Sequence, residues 1–408
     1  MQLTKYKLGE ILDVTRGASL SGEFYATEGE YIRLTCGNFD YQNNCFKENK
    51  SKDNLYYVGD FKPEFLMEEG DIITPLTEQA IGLLGSTATI PESSKYIQSQ
   101  DVAKIICKED LLDKDFAFYL ISSTLVKQQL SAAAQQTKIR HTSPDKIKGC
   151  TVWIPELSEQ KRIGKLLRSI DRKIELNRAI NQNLEAMAKQ LYDYWFVQFD
   201  FPNEEGKPYK LSGGAMVWSE ELKREIPCEW TTTTLGKECE MYQPKTLGLS
   251  ELDDNAQYKV YGANGVIGKF HSYNHEDSEI AMACRGNSCG IINRTAPFSW
   301  ITGNAMVIKM RNSKIHNEYI KQALRYANVA GAISGSGQPQ LTRENLSGVK
   351  LCKPIDEVLM KFTRLVSQIV KLQLQNHSKI EFLIKQRDEF LPLLMNGQVS
   401  VNSDLSDD

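Results

Sequence analysis

The sequence lacks the features of a secreted or membrane protein. No apolar run approaches the ~18 residues that would cross a bilayer, and the opening residues MQLTKYKLGE do not resemble a signal peptide. The nine cysteines are odd in number, include no CxxC pair and lie mostly in apolar runs, which is typical of buried free thiols in a reducing compartment. These absences predict a cytoplasmic protein.

Motifs for catalysis and for cofactor binding are also missing. The chain has no GxxxxGK[ST] phosphate loop, no GxGxxG dinucleotide turn and no Asn-Pro-Pro-Tyr or Asp-Pro-Pro-Tyr run of the amino-methyltransferases. We therefore expect no bound cofactor and no catalytic activity in this chain. Its net charge of -3 excludes a globally basic protein, so any contact with nucleic acid would depend on local patches.

What the sequence does contain is a long helical pattern from Ser158 to Phe196, uninterrupted by proline or by glycine after Gly164. Apolar residues at alternating three- and four-residue spacing predict a coiled coil here. A helix from about 159 to 195 would be roughly 55 Å long. The inward positions are Leu167, Ile170, Ile174, Asn177, Asn181, Leu184, Ala188, Leu191 and Trp195.

The same pattern recurs 199 residues later, which indicates a duplicated chain. The second copy is weaker at Gln373 and Arg387, and Pro392 is expected to end or kink its helix. Its inward positions are Val366, Ile369, Gln373, Asn376, Ile380, Leu383, Arg387, Phe390 and Leu394.

Each long helix follows a stretch of short strand-like runs separated by turn residues, which is typical of a globular domain. The sequence thus predicts an α+β fold with two globular domains in tandem repeat. Each domain is followed by a long helix, and the two helices form an antiparallel coiled coil with pseudo-two-fold symmetry. The predicted segments are a first domain at 1–155, a first helix at 156–200, an ordered connector at 201–230, a second domain at 231–355, a second helix at 356–398 and a tail at 399–408.

Asn177 and Asn376 occupy the same place in the two helical repeats. Because equivalent midpoints of a pseudo-symmetric antiparallel pair meet at its centre, we hypothesise that these two side chains hydrogen-bond and fix the helix register. The alternative is that both lie on a partly exposed seam without that role.

Two possible metal sites are weighed against ordinary structural roles. Asp145 and Glu159 superficially match a PD…ExK nuclease, but Glu159 begins a long helix instead of lying on a strand, and an acidic first turn is favoured by the helix dipole. His271, His275, Cys284 and Cys289 could be zinc ligands, yet their spacing is not that of a zinc knuckle and Ile280–Ala283 resembles a buried strand. We expect no metal at either.

Four segments resemble the specificity (S) subunit of type I restriction–modification systems, and the likeness extends over essentially the full chain. These segments are Pro155–Ile163, Leu191–Pro202, Gly206–Trp230 and Leu391–Val399. The resemblance implies two target-recognition domains, each reading one half of a split double-stranded DNA site. It also implies that the helices act as a spacer and as docking surfaces for two methyltransferase subunits, through which restriction/translocase subunits join. Residues 354–358 lack the usual Glu-Gln-Lys, so docking at the second helix is expected to differ in detail.

Major-groove reading needs Arg, Lys, Asn or Gln on loops held by a rigid frame. Polar loops in both domains fit this requirement, although any one of their residues could also be a solvated turn residue. The DNA-binding candidates are Arg33, Thr35, Asn38, Thr77, Gln79, Gln135, Gln136, Lys138, Arg140 and His141 in the first domain, and Tyr261, Asn264, Arg285, Asn287, Ser336, Gln338, Gln340 and Arg343 in the second.

The sequence therefore favours a non-catalytic DNA-specificity subunit that reads an asymmetric split site. Two alternatives remain open at this point, a metal-dependent nuclease that uses Asp145 and Glu159 and a coiled-coil structural adaptor with no role on DNA.

Overall fold

A computed structural model describes residues 2–78, 82–133, 140–335 and 337–401. The chain divides into two compact units, the first made of Met1–Glu175 with Ile380–Asp408 and the second of Leu176–Lys379. Each unit consequently holds one globular domain together with part of each long helix.

The globular part of the first unit contains short strands and helices around two four-stranded sheets. Its strands are β1 (Thr4–Lys7), β2 (Leu12–Arg16), β3 (Tyr25–Ala26), β4 (Tyr31–Arg33), β5 (Phe39–Asp40), β6 (Cys45–Phe46), β7 (Tyr56–Tyr57), β8 (Ile72–Pro75), β9 (Thr77–Glu78), β10 (Ala88–Thr89), β11 (Tyr96–Ile97), β12 (Val102–Cys107), β13 (Arg140–His141) and β14 (Thr151–Ile154). Its helices are α1 (Leu8–Ile11), α2 (Lys114–Ile121), α3 (Thr124–Ala133), α4 (Pro144–Lys148) and the start of α5 (Leu157–Tyr192). The sheets have the strand orders β10-β8-β12-β2 and β11-β4-β7-β3.

The second unit repeats this plan. Its strands are β15 (Met216–Ser219), β16 (Arg224–Pro227), β17 (Thr231–Thr234), β18 (Cys239–Tyr242), β19 (Tyr258–Gly262), β20 (Gly265–Phe270), β21 (Ile280–Ala283), β22 (Ile292–Arg294), β23 (Trp300–Ile301), β24 (Ala305–Met310) and β25 (Lys350–Lys353). Its helices are α6 (Leu235–Glu238), α7 (Glu318–Tyr326), α8 (Arg343–Ser347) and the start of α9 (Asp356–Met395). The sheets have the orders β18-β24-β21-β22 and β20-β19-β23.

The duplication predicted from the helices extends to the globular domains. In the first unit β1 pairs antiparallel with β14, and β12 lies between β2 and β8. In the second unit β17 pairs with β25, and β24 lies between β18 and β21. Both units therefore have the same frame of strands, joined by different loops.

The two long helices pack antiparallel in each unit, as the heptad pattern predicts. In the second unit α5 contacts α9 at Asn181 and Gln373, and again where the rings of Trp195 and Phe362 lie 6.0 Å apart. In the first unit Asp171 pairs with Arg387 at 3.0 Å. Pro392 lies inside α9 only three residues before its end, where a missing N–H disturbs few helical bonds.

These contacts confirm the predicted fold class of two tandem α+β domains, each followed by a long helix of an antiparallel pair. The nine cysteines are all free, as expected from their spacing. Over the described residues, no helix combines the length and apolarity needed to cross a membrane.

Glu185 on α5 forms hydrogen bonds and ion pairs with α7 and α9 of the second unit. Its carboxylate accepts hydrogen bonds from Lys321 at 2.8 Å, from Arg325 at 2.6 Å and from Gln373 at 3.3 Å. Partial burial would raise the pKa of Glu185, but Lys321, Gln373 and Arg325 outweigh it and lower the pKa to about 2. The charged form of Glu185 is thus the one that the folded protein stabilises.

We expect Glu185→Gln to lower the free energy of unfolding by about 1–2 kcal/mol at pH 7. Since the pKa of Glu185 is lowered on folding, its contribution is present above the ordinary value of 4.5 and is lost as the pH falls toward 2. Denaturant unfolding at pH 7 and pH 3 measures this, with Glu344→Gln on the exposed side of α8 as the matched control. An equal loss at both pH values would contradict the assignment.

Candidate nucleic-acid interface

In the second unit, several strands end at one edge of the globular domain. Tyr242 at the end of β18 pairs with Val307, and Ala283 at the end of β21 pairs with Ala305 near the start of β24. The second sheet reaches the same edge, because β19 pairs with β23 and the N–H of Thr302 donates to the carbonyl of Tyr261 at 2.9 Å. The loops that leave these strands are therefore neighbours.

Two of these loops bind each other through their backbones. The N–H of Gly286 donates to the carbonyl of Pro339 at 2.9 Å, and the N–H of Leu341 donates to Cys284 at 3.0 Å. The Cys289 thiol donates to the carbonyl of Pro339 at 3.1 Å. Gly286 has a φ of +71°, a conformation that glycine adopts without strain. Residues 284–290 and 337–341 thus form one continuous surface.

Four polar side chains are exposed on this pair of loops. The backbones of Arg285 and Gln340 form a β-bridge although they are distant in sequence. We call the four residues the second-unit loop surface: Arg285, Asn287, Gln338 and Gln340. Guanidinium and amide groups are the side chains that read guanine and adenine in the major groove.

The other second-unit candidates have different surroundings. Asn264 is exposed in the tight turn between β19 and β20, next to Gly265 with a φ of +100°. Arg343 is exposed at the start of α8, whose first turn is capped by Thr342. Tyr261 is buried, its hydroxyl accepts from the N–H of Ala296 at 2.9 Å, and burial raises its pKa. Asn264 and Arg343 are free to reach a ligand, whereas Tyr261 supports the frame.

The first unit has an equivalent edge formed by other residues. Strand β9 pairs with β13, so that Thr77 lies opposite His141 and Glu78 opposite Arg140. The Cys36 thiol donates to the carbonyl of Thr77 at 3.3 Å. His141 is exposed, and the side chain of Arg140 is 35% exposed. Thr77 from one candidate loop is therefore brought next to Arg140 and His141 from another.

Arg33, Thr35 and Asn38 have their polar groups bonded within the chain, and so do Thr77, whose hydroxyl donates to Asp101, and Arg140, which donates to Ser131 and pairs with Glu78. The buried Arg33 guanidinium stacks 3.8 Å from the ring centroid of Tyr25 and donates to the carbonyl of Asn54. Asn38 is 2% exposed and accepts from the N–H of Thr35 at 2.9 Å. The bonds of Arg33, Thr35 and Asn38 hold the loop after β4.

Sequence patterns do not reveal the residues that orient these loops. Asn49 donates to the hydroxyl of Thr35 at 2.9 Å from 14 residues away, and the buried Glu78 carboxylate accepts from the N–H groups of Gly82 at 2.7 Å and Leu83 at 3.1 Å. Such contacts follow no periodicity and depend on the finished fold. The remaining candidates lie outside the described residues: Gln79, Gln135, Gln136, Lys138 and Ser336.

The geometry does not support a nuclease centre or a zinc site. Asp145 has a side chain 94% exposed, whereas Glu159 is buried and pairs with Arg162. His275 stacks on Tyr242, and the Cys284 thiol donates to a backbone carbonyl. In the part of the chain that the structure describes, no three His, Cys, Asp or Glu residues come together as metal ligands would.

Comparison with known proteins points to one family. Residues 2–186 match the family model of the type I restriction modification DNA specificity domain. The chain is 22% identical over 334 residues to the type I restriction enzyme MjaIX specificity subunit of Methanocaldococcus jannaschii, covering 74% of this chain and 73% of that protein. It is 30% identical over 132 residues to the MjaVIII specificity subunit of the same organism, covering 32% of this chain and 31% of that one.

The fold has a solved counterpart. The crystal structure of the type I restriction–modification S subunit from M. genitalium superposes with a TM-score of 0.62 at 18% identity. The superposition covers 97% of this chain and 96% of that one. The likeness therefore extends over both globular domains and both long helices.

Proposed function

We propose that this chain is a non-catalytic subunit which reads an asymmetric bipartite site in double-stranded DNA. The premise is that the chain belongs to the specificity subunits of type I restriction–modification systems. The first recognition domain is 1–155 and the second is 231–355. Chemistry on the DNA belongs to other chains, since this one carries no motif for it.

The observation that carries this proposal is the pair of equivalent edges with unlike side chains. The second-unit loop surface presents one arginine and three amides, whereas the first-unit edge presents Thr77, Arg140 and His141. Because each base pair shows a different pattern of donors and acceptors in the major groove, two unlike surfaces select two unlike half-sites. An asymmetric recognition sequence follows.

The long helices are proposed as the spacer and as the docking surface for two methyltransferase subunits, which in turn bring the restriction/translocase subunits. Leu176, Ile180 and Met187 are 55%, 47% and 51% exposed on α5, and exposed apolar residues at helical spacing commonly mark a protein interface. Asn177 and Asn376 are kept in the proposal as the centre of the helix pair; Asn376 is 8% exposed and Asn177 is half-buried.

Substitution of Arg285 tests the proposal. The recognised sequence is first found by mapping methylated adenines in host DNA, and binding is then measured with the methyltransferase partner present. We expect Arg285→Ala to weaken binding to that site by about 1–3 kcal/mol and to relax discrimination at one base pair of a single half-site. An arginine that contacts a guanine loses two hydrogen bonds on truncation, whereas one that contacts phosphate weakens all sequences alike.

The matched control is Arg311→Ala. Arg311 is an exposed arginine immediately after β24, at the end of that strand remote from the loop surface, and its removal should leave DNA binding unchanged. Equal effects of the two substitutions would contradict the assigned surface. Absence of salt-dependent binding to any duplex by the complex would instead favour the coiled-coil adaptor.

A further inference from the structure

The helix pair contains a buried polar layer in the second unit. The Asn181 amide donates to the backbone carbonyl of Gln373 at 3.3 Å, and the Gln373 amide donates to the carbonyl of Asn181 at 3.4 Å. Both residues are 8% exposed. Across the described residues, Oδ1 of Asn181 finds no hydrogen-bond donor. Long bonds and an unsatisfied oxygen make this layer less stabilising than an apolar one.

The corresponding layer of the first unit is apolar. There Ile174 and Ile380 are buried in one cluster with Ile170. The offset of 199 residues relates Ile174 to Gln373 and Asn181 to Ile380. The same two positions of the repeat therefore hold an isoleucine pair in one unit and an amide pair in the other.

A second layer of the helix pair is polar in the first unit and apolar in the second. Asp171 and Arg387 form a 3.0 Å ion pair in the first unit, with side chains 13% and 9% exposed. Their repeat equivalents in the second unit are Val370 and Ala188, which are both buried. Each half of the helix pair thus has one polar layer that the other half lacks.

These differences matter because duplicated helices can pair with the wrong partner. In the same antiparallel register, α5 of one molecule against α5 of a second copy would bring Ile174 opposite Asn181. Likewise α9 against α9 would bring Ile380 opposite Gln373. Only the pairing of α5 with α9 matches isoleucine with isoleucine and amide with amide.

The ion pair discriminates in the same direction. Between copies, Asp171 would face Ala188 and Arg387 would face Val370, so the buried ion pair would be broken and Arg387 would keep only the exposed carboxylate of Asp388. Removing one partner of a buried pair is much more destabilising than replacing both with apolar residues. Polar residues inside a coiled coil commonly select its partner at the expense of stability.

We propose that the Asn181–Gln373 layer and the Asp171–Arg387 pair together direct α5 to α9 of its own chain and exclude helix exchange between two copies. The device acts on assembly and is independent of DNA binding. It explains why buried polar groups lie at inward positions of the second helix, where the heptad pattern is weakest.

A symmetrised variant tests this. Asp171→Val, Asn181→Ile, Gln373→Ile and Arg387→Ala together make each of these layers equal to its repeat equivalent. The full chain is unfolded in denaturant, refolded at fixed concentration and analysed by size-exclusion chromatography with light scattering. We expect at least a tenfold larger dimer fraction than for the unaltered chain, growing with protein concentration as domain exchange does.

A transposed variant is the control. Ile174→Gln, Asn181→Ile, Gln373→Ile and Ile380→Asn move the amide layer to the other half, keep α5 matched with α9 and leave the ion pair in place. This variant should refold with the dimer fraction of the unaltered chain. The proposal would be overturned if the symmetrised variant dimerises no more than the unaltered chain. It would also be overturned if the transposed variant dimerises as much as the symmetrised variant.

A variant with only two substitutions tests the proposal even where the fourfold symmetrised variant does not fold. Asn181→Ile with Gln373→Ile replaces a layer with long hydrogen bonds and an unsatisfied oxygen by an apolar one, so we expect a higher melting temperature together with more dimer than for the unaltered chain. A higher melting temperature with an unchanged dimer fraction would remove the amide layer from the proposed device.

Discussion

Replacing Phe362 by alanine is expected to lower the free energy of unfolding of the second unit by about 3–5 kcal/mol. Phe362 is fully buried at the start of α9. Its ring centroid lies 5.0 Å from that of Phe196, 6.0 Å from Trp195 and 6.3 Å from Tyr192. Truncation would remove the ring around which the end of α5 packs, and the surrounding aromatic rings are too rigid to close the cavity fully.

Denaturant unfolding measures this effect, and Phe382→Ala is the matched control on the same helix. Phe382 is 61% exposed, so its truncation should change the unfolding free energy by less than about 0.5 kcal/mol. Similar losses for the two substitutions would contradict the central position of Phe362 in the core. Four of the five tryptophans lie in the second unit and Trp153 lies in the first, so the near-ultraviolet signal measured in a Trp153→Phe background follows the second unit.

Inserting one heptad into each long helix is expected to abolish binding to the natural DNA site. Seven residues lengthen a helix by about 10 Å, which corresponds to about three base pairs of duplex. The insertions belong after Glu175 and after Lys379, at the division between the two units, where each unit keeps its own contacts. Specific binding exceeds non-specific binding by about 10³-fold or more, so a loss of roughly 4 kcal/mol is expected when only one half-site can be engaged.

The measurement is a series of duplexes in which only the spacer between the half-sites varies. We expect the best spacer to become longer by about three base pairs, with affinity only partly regained because that length also turns the second half-site by roughly 100°. A chain with seven conservative substitutions in place of the inserted residues is the control. An unchanged spacer preference would refute the idea that the helices set the distance.

The helical part of the fold could be predicted from sequence because it follows a period. Of the eighteen inward positions, only Phe390 is exposed, since a heptad seam is a property of local spacing. The duplication was predictable for the same reason, as a fixed offset needs no knowledge of three-dimensional contacts.

The candidate interface was predictable only as a set of loops. Sequence patterns could not distinguish Arg285, which is exposed, from Arg33, which is buried against Tyr25. Both lie at a strand end, Arg33 as the last residue of β4 and Arg285 two residues after β21. The difference arises from partners remote in the chain, such as Asn54, which accepts from Arg33, and Gln340, whose backbone bridges that of Arg285. Burial of a loop residue is decided by tertiary packing and not by local propensity.

The division of the chain through the middle of both helices has a consequence for exchange between relatives. A chimera joined at Glu175/Leu176 and at Lys379/Ile380 inherits each globular domain together with its own Asp171–Arg387 or Asn181–Gln373 contact. A chimera joined once, in the connector between α5 and the second globular domain, would instead take α5 from one parent and α9 from the other, so both contacts would join residues of different parents. The junctions that keep these contacts intact thus lie in the middle of the helix pair and not at its ends.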